Sequence, residues 1–347
     1  MEDKICIKSL LPEQLADLMK QLGQPAYRAK QVFRWLQQGV GSFDEMSDLP
    51  KALREALKET CRLTRPEILR KQVSAHDGTI KYLFGLEDGN SIETVLMQYE
   101  HGNSICVSTQ AGCKMGCVFC ASFDPKKSRD LRPAEILDEI LWAQKDSGRR
   151  VSNIVLMGTG EPLDNYENVM TFLRLVSHPE GLNIGMRHIS LSTCGLVPMI
   201  RRLEEERLQL TLSVSLHAPN DVLRSRLMPV NRRWPLGELM PACRHYFEAT
   251  GRRISFEYAM IRDVNDTAAC ARQLIGLLRG FSCHVNLIPL NHVEGSPLVP
   301  STRENLRRFQ NELIRNGLNA TVRRSLGGDI AASCGQLRRQ HSEEVSL

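Results

Sequence analysis

No stretch of the 347-residue chain approaches the roughly 18 consecutive apolar residues of a membrane helix. Nor does Met1-Glu2-Asp3-Lys4 begin anything like a signal peptide, so the expectation is a cytoplasmic protein that meets no membrane. Aromatic residues are scarce, at 5%, which argues against a protein that grips single strands mainly by stacking bases on aromatic platforms. There is no internal repeat and no low-complexity tract, which removes solenoids and linkers from consideration. Lysine is missing beyond Lys145, and the later chain uses only arginine, including seven Arg-Arg pairs from Arg149-Arg150 to Arg338-Arg339. Clustered pairs would read as a phosphate grip, but these are scattered and are better read as codon usage.

Hydrophobic residues make up 42% of the chain and charged residues 24%, an ordinary globular balance with room for about two domains. The net charge of +5 allows a nucleic-acid partner without requiring one. Eleven cysteines would mean disulfides in a short secreted chain. Odd in number, dispersed and without an export signal, they read instead as thiols or ligands.

Periodicity divides the chain into three regions. Leu15, Leu18, Met19 and Leu22, then Ala29, Val32, Phe33 and Leu36, each follow the spacing of one helix face, predicting a small helical domain over 1–63. Short β-rich runs at Thr79 to Phe84 and Ile92 to Met97, divided by Asp88-Gly89-Asn90 and His101-Gly102-Asn103, predict a hairpin-like connector over 64–103. Over 104–340, strand-like runs alternate with amphipathic helical patterns. The clearest strands are Asn153 to Met157, Arg187 to Ser192, Leu208 to Leu216, Arg253 to Ile261 and Cys283 to Leu290. Such alternation implies an α/β fold with a parallel sheet. About six units predict a partial (β/α)6 barrel, with an open sheet as the alternative, and the polar motifs fall just after strands, where such folds build their sites.

The densest chemical signal is Cys113-Lys-Met-Gly-Cys117-Val-Phe-Cys120, three thiols in eight residues. Thiolates select soft metals, so this loop predicts zinc or an iron–sulfur cluster. A four-iron cluster takes four cysteines when fully ligated, so three leave one iron open. The spacing resembles the radical SAM superfamily, in which that open iron binds S-adenosylmethionine and the reduced cluster cleaves it to a 5′-deoxyadenosyl radical. Gly158-Thr159-Gly160-Glu161-Pro162 resembles the same superfamily's glycine-glutamate-proline motif.

Further stretches resemble one family over nearly the whole chain, the RlmN/Cfr methyltransferases of adenine carbon in ribosomal RNA. They are Glu93-Thr94-Val95, Cys106-Val-Ser-Thr-Gln-Ala-Gly-Cys113, Ser215-Leu-His-Ala-Pro-Asn220, Arg226-Leu-Met-Pro229 and Cys334-Gly-Gln-Leu337. The resemblance implies a [4Fe-4S] cluster on Cys113, Cys117 and Cys120, and S-adenosylmethionine held by Gly160, Glu161, Ser192, Ser215, Leu216, His217 and Asn291. It also implies that Cys334 first accepts a methyl group, that the derived methylene radical adds to adenine, and that Cys106 resolves the thioether through a transient disulfide. Glu93 would be the base that removes the ring proton. Similarity to the RlmN branch implies carbon 2 of adenine in 23S rRNA, with transfer RNA as a second substrate. It further implies an electron donor such as flavodoxin or ferredoxin, and a monomer.

Two stretches depart from the family pattern. Ala121-Ser-Phe-Asp-Pro-Lys-Lys-Ser-Arg129 has no glycine after the third cysteine, and Asp329-Ile-Ala-Ala-Ser333 replaces a usual Asp-Ile-Asp-Ala-Ala. Both bear on substrate choice more than on the reaction. The alternatives are carbon-8 methylation, a radical SAM enzyme of another reaction type, and a noncatalytic zinc-stabilised RNA-binding protein. The N-terminal helical region carries no cofactor motif and is expected to dock RNA.

Overall fold

The computed structural model describes residues 4–100, 102–126, 128–291, 296–330 and Leu337, so the expectation on Cys334 lies outside the described residues. At the N-terminus, β1 (Ile5–Cys6) is followed by α1 (Pro12–Gln21), α2 (Tyr27–Gln37) and α3 (Lys51–Thr60), and β2 (Cys61–Arg62) returns to pair parallel with β1. Helix α1 starts at Pro12, whose missing N–H costs nothing there, and the Gln14 side chain accepts the Leu11 N–H at 2.8 Å. The predicted faces are the buried ones: Leu15, Leu18 and Met19 meet Val32, Phe33 and Leu36, with Leu53 and Leu57 of α3, in a core separate from the rest except for Leu175. Each such side chain contributes roughly 1.5–3 kcal/mol by leaving water, which holds helices too short to persist alone.

The remaining strands form one ten-stranded sheet. Its antiparallel part is a meander of β3 (Glu67–Val73), β4 (Ile80–Gly85), β5 (Ser91–Tyr99) and β6 (Gly102–Cys106). The strands expected at Thr79 to Phe84 and Ile92 to Met97 are therefore present, but not as a separate connector. Strand β6 offers both of its edges, one to β5 and one to the first parallel strand, so the meander is continuous with the main sheet.

After β6 a small antiparallel pair, β7 (Gln110–Ala111) with β8 (Arg129–Asp130), closes off a loop. Then α4 (Pro133–Ser147), β9 (Val151–Leu156), α5 (Tyr166–Ser177), β10 (Ile189–Thr193), α6 (Val197–Glu205) and β11 (Thr211–Ser215) alternate. They continue through α7 (Asp221–Leu227), α8 (Leu236–Thr250), β12 (Ile254–Met260), α9 (Ala268–Leu278), β13 (Cys283–Pro289), α10 (Arg303–Arg315) and β14 (Asn319–Val322). All five strands read from the sequence are there, and β14 is an addition to them. From β6 through β9 to β14 the spatial order follows the chain without reversal. Right-handed crossovers then place every helix on one face and leave the other as an inner wall. Strand β14 pairs with β13 and β6 with β5, so the barrel is partial.

Alternation along the strands decides what each face carries. Leu191, Leu212, Val214, Phe256, Tyr258, Val285 and Leu287 enter the helix-covered core. The inner wall instead presents Ser190, Ser213, Ser255, Glu257, His284 and Asn286 around a cavity of about 610 Å³. Small serines are why this barrel interior is not filled in the usual way by branched apolar side chains.

Candidate active site

The three cysteines lie in the loop between β7 and β8. Gly112, at φ +86°, makes its first turn, where a Cβ would sit 2.9 Å from the Asp124 carbonyl. Backbone bonds from Asp124 N–H to the Cys113 carbonyl (3.0 Å) and from Val118 N–H to the Leu227 carbonyl (3.0 Å) fix the loop's two ends. The glycine-free stretch after Cys120 turns by doubling Phe123 back beside Cys113. All three thiols are partly exposed and line one cavity of about 270 Å³. Burial pushes the Cys113 thiol up to about 11 and Cys117 higher still, so a cation that binds them must displace protons.

At the end of β9 the chain makes the glycine-glutamate-proline turn. Close approach explains the glycines: a Cβ on Gly158 would meet the Val107 carbonyl at 2.6 Å, and one on Gly160, at φ +110°, the Gln110 N–H at 2.7 Å. Glu161 is buried, and its carboxylate accepts N–H bonds from Cys194 (2.7 Å) and Leu163 (3.1 Å). Burial raises its pKa against the pull of those donors.

Gly160, Glu161, Ser192, Ser215, His217 and Asn291 all face the same cavity as the cysteines. Leu216 does not line it, because its side chain is buried in the main core. His217 sits in the left-handed region at φ +55° and accepts the Ala259 N–H on Nδ1 at 2.9 Å. Burial first, and Arg224 second, press its pKa down to about 3.

Several site residues escaped the sequence reading. Arg224, fully buried, donates to the carbonyls of Cys194 (2.7 Å), Ser215 (3.0 Å) and Leu216 (3.2 Å) and to Asn231 Oδ1 (2.8 Å). Glu257 and Arg323 line both the cysteine cavity and the larger cavity below it. Nothing in the sequence marks Arg224 beyond its place two residues before Arg226.

Glu93 and Cys106 lie outside this cavity's lining, on the meander side of the inner wall. Val95 pairs directly with Cys106, and Glu93 lies two residues from Val95, so all three share a face. Cys106 is buried with Val95 and Met97, against which Leu326 packs. The Glu93 carboxylate accepts from Lys81 Nζ at 2.7 Å, with both side chains almost wholly buried. Lys81 is a second partner that spacing could not reveal. All ten described cysteines are free thiols.

A soft three-thiol loop opening onto a cavity, with glycines that let backbone approach closely, fits the donor chemistry of an iron–sulfur cluster and a bound nucleoside. Among the described residues no three His, Cys, Asp or Glu side chains are grouped to hold a single ion. The cysteine loop suits a cluster in which each thiolate takes its own iron.

Partial parallel barrel and three-cysteine loop together define a radical SAM enzyme, and the family model for the radical SAM superfamily matches residues 107–270. The model for the ribosomal RNA large subunit methyltransferase N-terminal domain matches residues 7–63. A probable dual-specificity RNA methyltransferase RlmN of Desulforamulus reducens is 51% identical over 99% of this chain and 98% of its own. Another, of Pelotomaculum thermopropionicum, is 53% identical over 97% and 92%. The crystal structure of a radical SAM methyltransferase from Sphaerobacter thermophilus superposes with a TM-score of 0.91 at 46% identity, covering 96% of this chain and 98% of that one. The chain belongs to the RlmN family of radical SAM RNA methyltransferases, which use a [4Fe-4S] cluster and S-adenosylmethionine.

Proposed function

We propose that the protein methylates carbon 2 of adenine in 23S rRNA and, as a second substrate, the adenine beside the anticodon in transfer RNA. The observation that carries this reading is the single cavity on which Cys113, Cys117, Cys120, Glu161, Ser192, Ser215, His217 and Asn291 converge. The cysteines would hold the cluster. Gly160, Glu161, Ser192, Ser215, the backbone of Leu216, His217 and Asn291 would hold the cofactor. When bound, that pair supplies a 5′-deoxyadenosyl radical.

The chain's own residues then divide the remaining work. Cys334 carries the methyl group on sulfur and becomes joined to the adenine through that carbon. Glu93, held in place by Lys81, takes the ring proton. The Cys106 thiolate attacks the Cys334 sulfur, and the sulfur–carbon bond breaks with its electron pair left on the methylene carbon, which takes up a proton to become the methyl group; a disulfide is left between the two cysteines, and the adduct's surplus electron passes to the oxidised electron carrier. The N-terminal helical region docks RNA, and the enzyme works as a cytoplasmic monomer with an electron donor such as flavodoxin or ferredoxin. Mass spectrometry of nucleosides from RNA treated with the reconstituted enzyme tests the reading. It should detect 2-methyladenosine; 8-methyladenosine would move the protein to the Cfr branch, and unmodified adenosine would end the proposal.

A further inference from the structure

The tip of the β3–β4 hairpin is tied to a segment 250 residues further along the chain. Asp77 Oδ2 accepts the Gly327 N–H at 2.8 Å, and Asp329 returns the contact, accepting from Ser74 Oγ at 2.6 Å and from the Ala75 N–H at 2.8 Å. Each side thus lends the other one carboxylate. The tip is itself firmly built: the Ser74 N–H bonds the Thr79 carbonyl at 2.8 Å, Asp77 Oδ1 accepts the Thr79 N–H at 3.0 Å, and Gly78 takes φ +69°. Arg149, between α4 and β9, donates to the Gly78 carbonyl at 2.7 Å and pins the tip to the barrel. On the other side Gly327, at φ +62°, makes a turn closed by the Ile330 N–H on its carbonyl at 3.1 Å. Burial works against the Asp77 carboxylate, but the Gly327 and Thr79 N–H groups outweigh it and hold its pKa down to about 2, while the Ser74 hydroxyl lowers that of Asp329. Both acids are therefore charged near neutral pH, and charged acceptors make the stronger hydrogen bonds.

What the tied segment adjoins gives the tie its meaning. Leu326, one residue before Gly327, packs on the cluster of Val95, Met97 and Cys106. Cys334 follows Asp329 by five residues, a reach of at most about 18 Å for an extended chain. Leu337, three residues beyond Cys334, is fully buried. The stretch that bears Cys334 is therefore bounded by two fastened points, the first of which follows directly on the residue covering Cys106. A short chain held in this way raises the effective concentration of one thiol at the other, without any contact of its own in the reaction.

We propose that the β3–β4 turn is a clip that keeps Cys334 within reach of Cys106, with Asp77 and Asp329 as its positioning residues. The proposal rests on the reading in which those two cysteines form the transient disulfide, and one experiment separates the two ideas. Reconstituted full-length enzyme is equilibrated anaerobically in glutathione buffers, where two protein thiols and oxidised glutathione exchange for the protein disulfide and two reduced glutathiones. Peptide mapping after alkylation gives the fraction of chains in which Cys106 is joined to Cys334. In the parent this disulfide should form; its absence would overturn the two-cysteine reading and, with it, the clip. Asp77→Ala and Asp329→Ala should each lower the equilibrium constant about tenfold, because the unclipped chain presents one thiol to the other less often. Asp329→Asn should restore the parental constant, since its amide can accept the Ala75 N–H and donate to Ser74 Oγ. Alkylation of the buried Cys243 should stay as slow as in the parent, a control that general loosening would fail. A parental constant in both alanine variants would overturn the clip alone. So would Asp329→Asn behaving like Asp329→Ala, or Cys243 alkylation rising in step with the lost disulfide.

Discussion

The Cys194 N–H donates to the Glu161 carboxylate at 2.7 Å, and the carbonyl of the same Cys194 accepts from Arg224 at 2.7 Å. One residue thus links the turn after β9 to the guanidinium that also grips the end of β11. Three consecutive strand ends are fastened together at the rim of the cavity by these bonds.

Arg224→Met should expose how much that fastening contributes. It leaves buried carbonyls at Cys194, Ser215 and Leu216 without a donor, at about 1–3 kcal/mol each. Urea denaturation should show a clear drop in midpoint, and calorimetry a weaker S-adenosylmethionine affinity. Arg224→Lys should not restore either, because an ammonium cannot present a planar fork to three acceptors. A lysine variant with parental stability would refute this role.

Lys81→Met tests the buried pair on the meander. Removing the ammonium takes the opposite charge away from the buried Glu93 carboxylate, an effect of roughly 3–5 kcal/mol. The double variant Lys81→Met/Glu93→Gln should regain much of the stability while remaining unable to form methyladenosine. If the double variant is no more stable than Lys81→Met alone, the pair is not what holds this part of the sheet.

His217 makes a prediction about acid. Its folded pKa is pressed down to about 3 from an ordinary 6.5, so the unfolded chain binds the proton that the folded chain refuses. Its contribution is therefore intact above pH 6.5 and is lost as pH falls from there toward 3. His217→Asn keeps an acceptor for the Ala259 N–H and tolerates the left-handed backbone. Stability measured from pH 7 to 4 should fall less steeply in that variant than in the parent; parallel curves would contradict the assignment.

If Cys334 and Cys106 act as proposed, their variants should fail in different ways. Cys334→Ala should yield neither methylcysteine nor RNA adduct. Cys106→Ala should still be methylated and still attack adenine, then accumulate as a covalent protein–RNA species whose adduct maps to Cys334. Normal turnover by Cys106→Ala, read by gel shift and peptide mapping, would rule out the two-cysteine route.

The helices and strands with strong apolar periodicity were legible, from Leu15 to Leu36 in the helical region and from Asn153 to Leu290 in the barrel. Strand β14 was not, since Asn319–Val322 is four residues long and only one of them is buried. The cysteine triplet was legible because its three thiols are local in sequence. Lys81 and Arg224 were not, since each acquires meaning from a partner on another strand. The inner serines read as half of an ordinary alternation, and only the sheet's sequential order shows that they enclose a cavity. Leu216 is the reverse case, a position in a matched motif whose side chain points away from the cavity.

The seam between β5 and β6 acts as a ruler for the chemistry. Pairing Val95 with Cys106 puts the Cys106 thiol and the Glu93 carboxylate on one side of the sheet, while Thr94 and Ile105 turn to the other. A slip of one residue along this seam would carry Glu93 to the helix side, away from Cys106, without altering a single side chain. Gly102, at φ +120° against Ser152 where β6 begins, is therefore as much a determinant of the proposed reaction as the groups assigned to it.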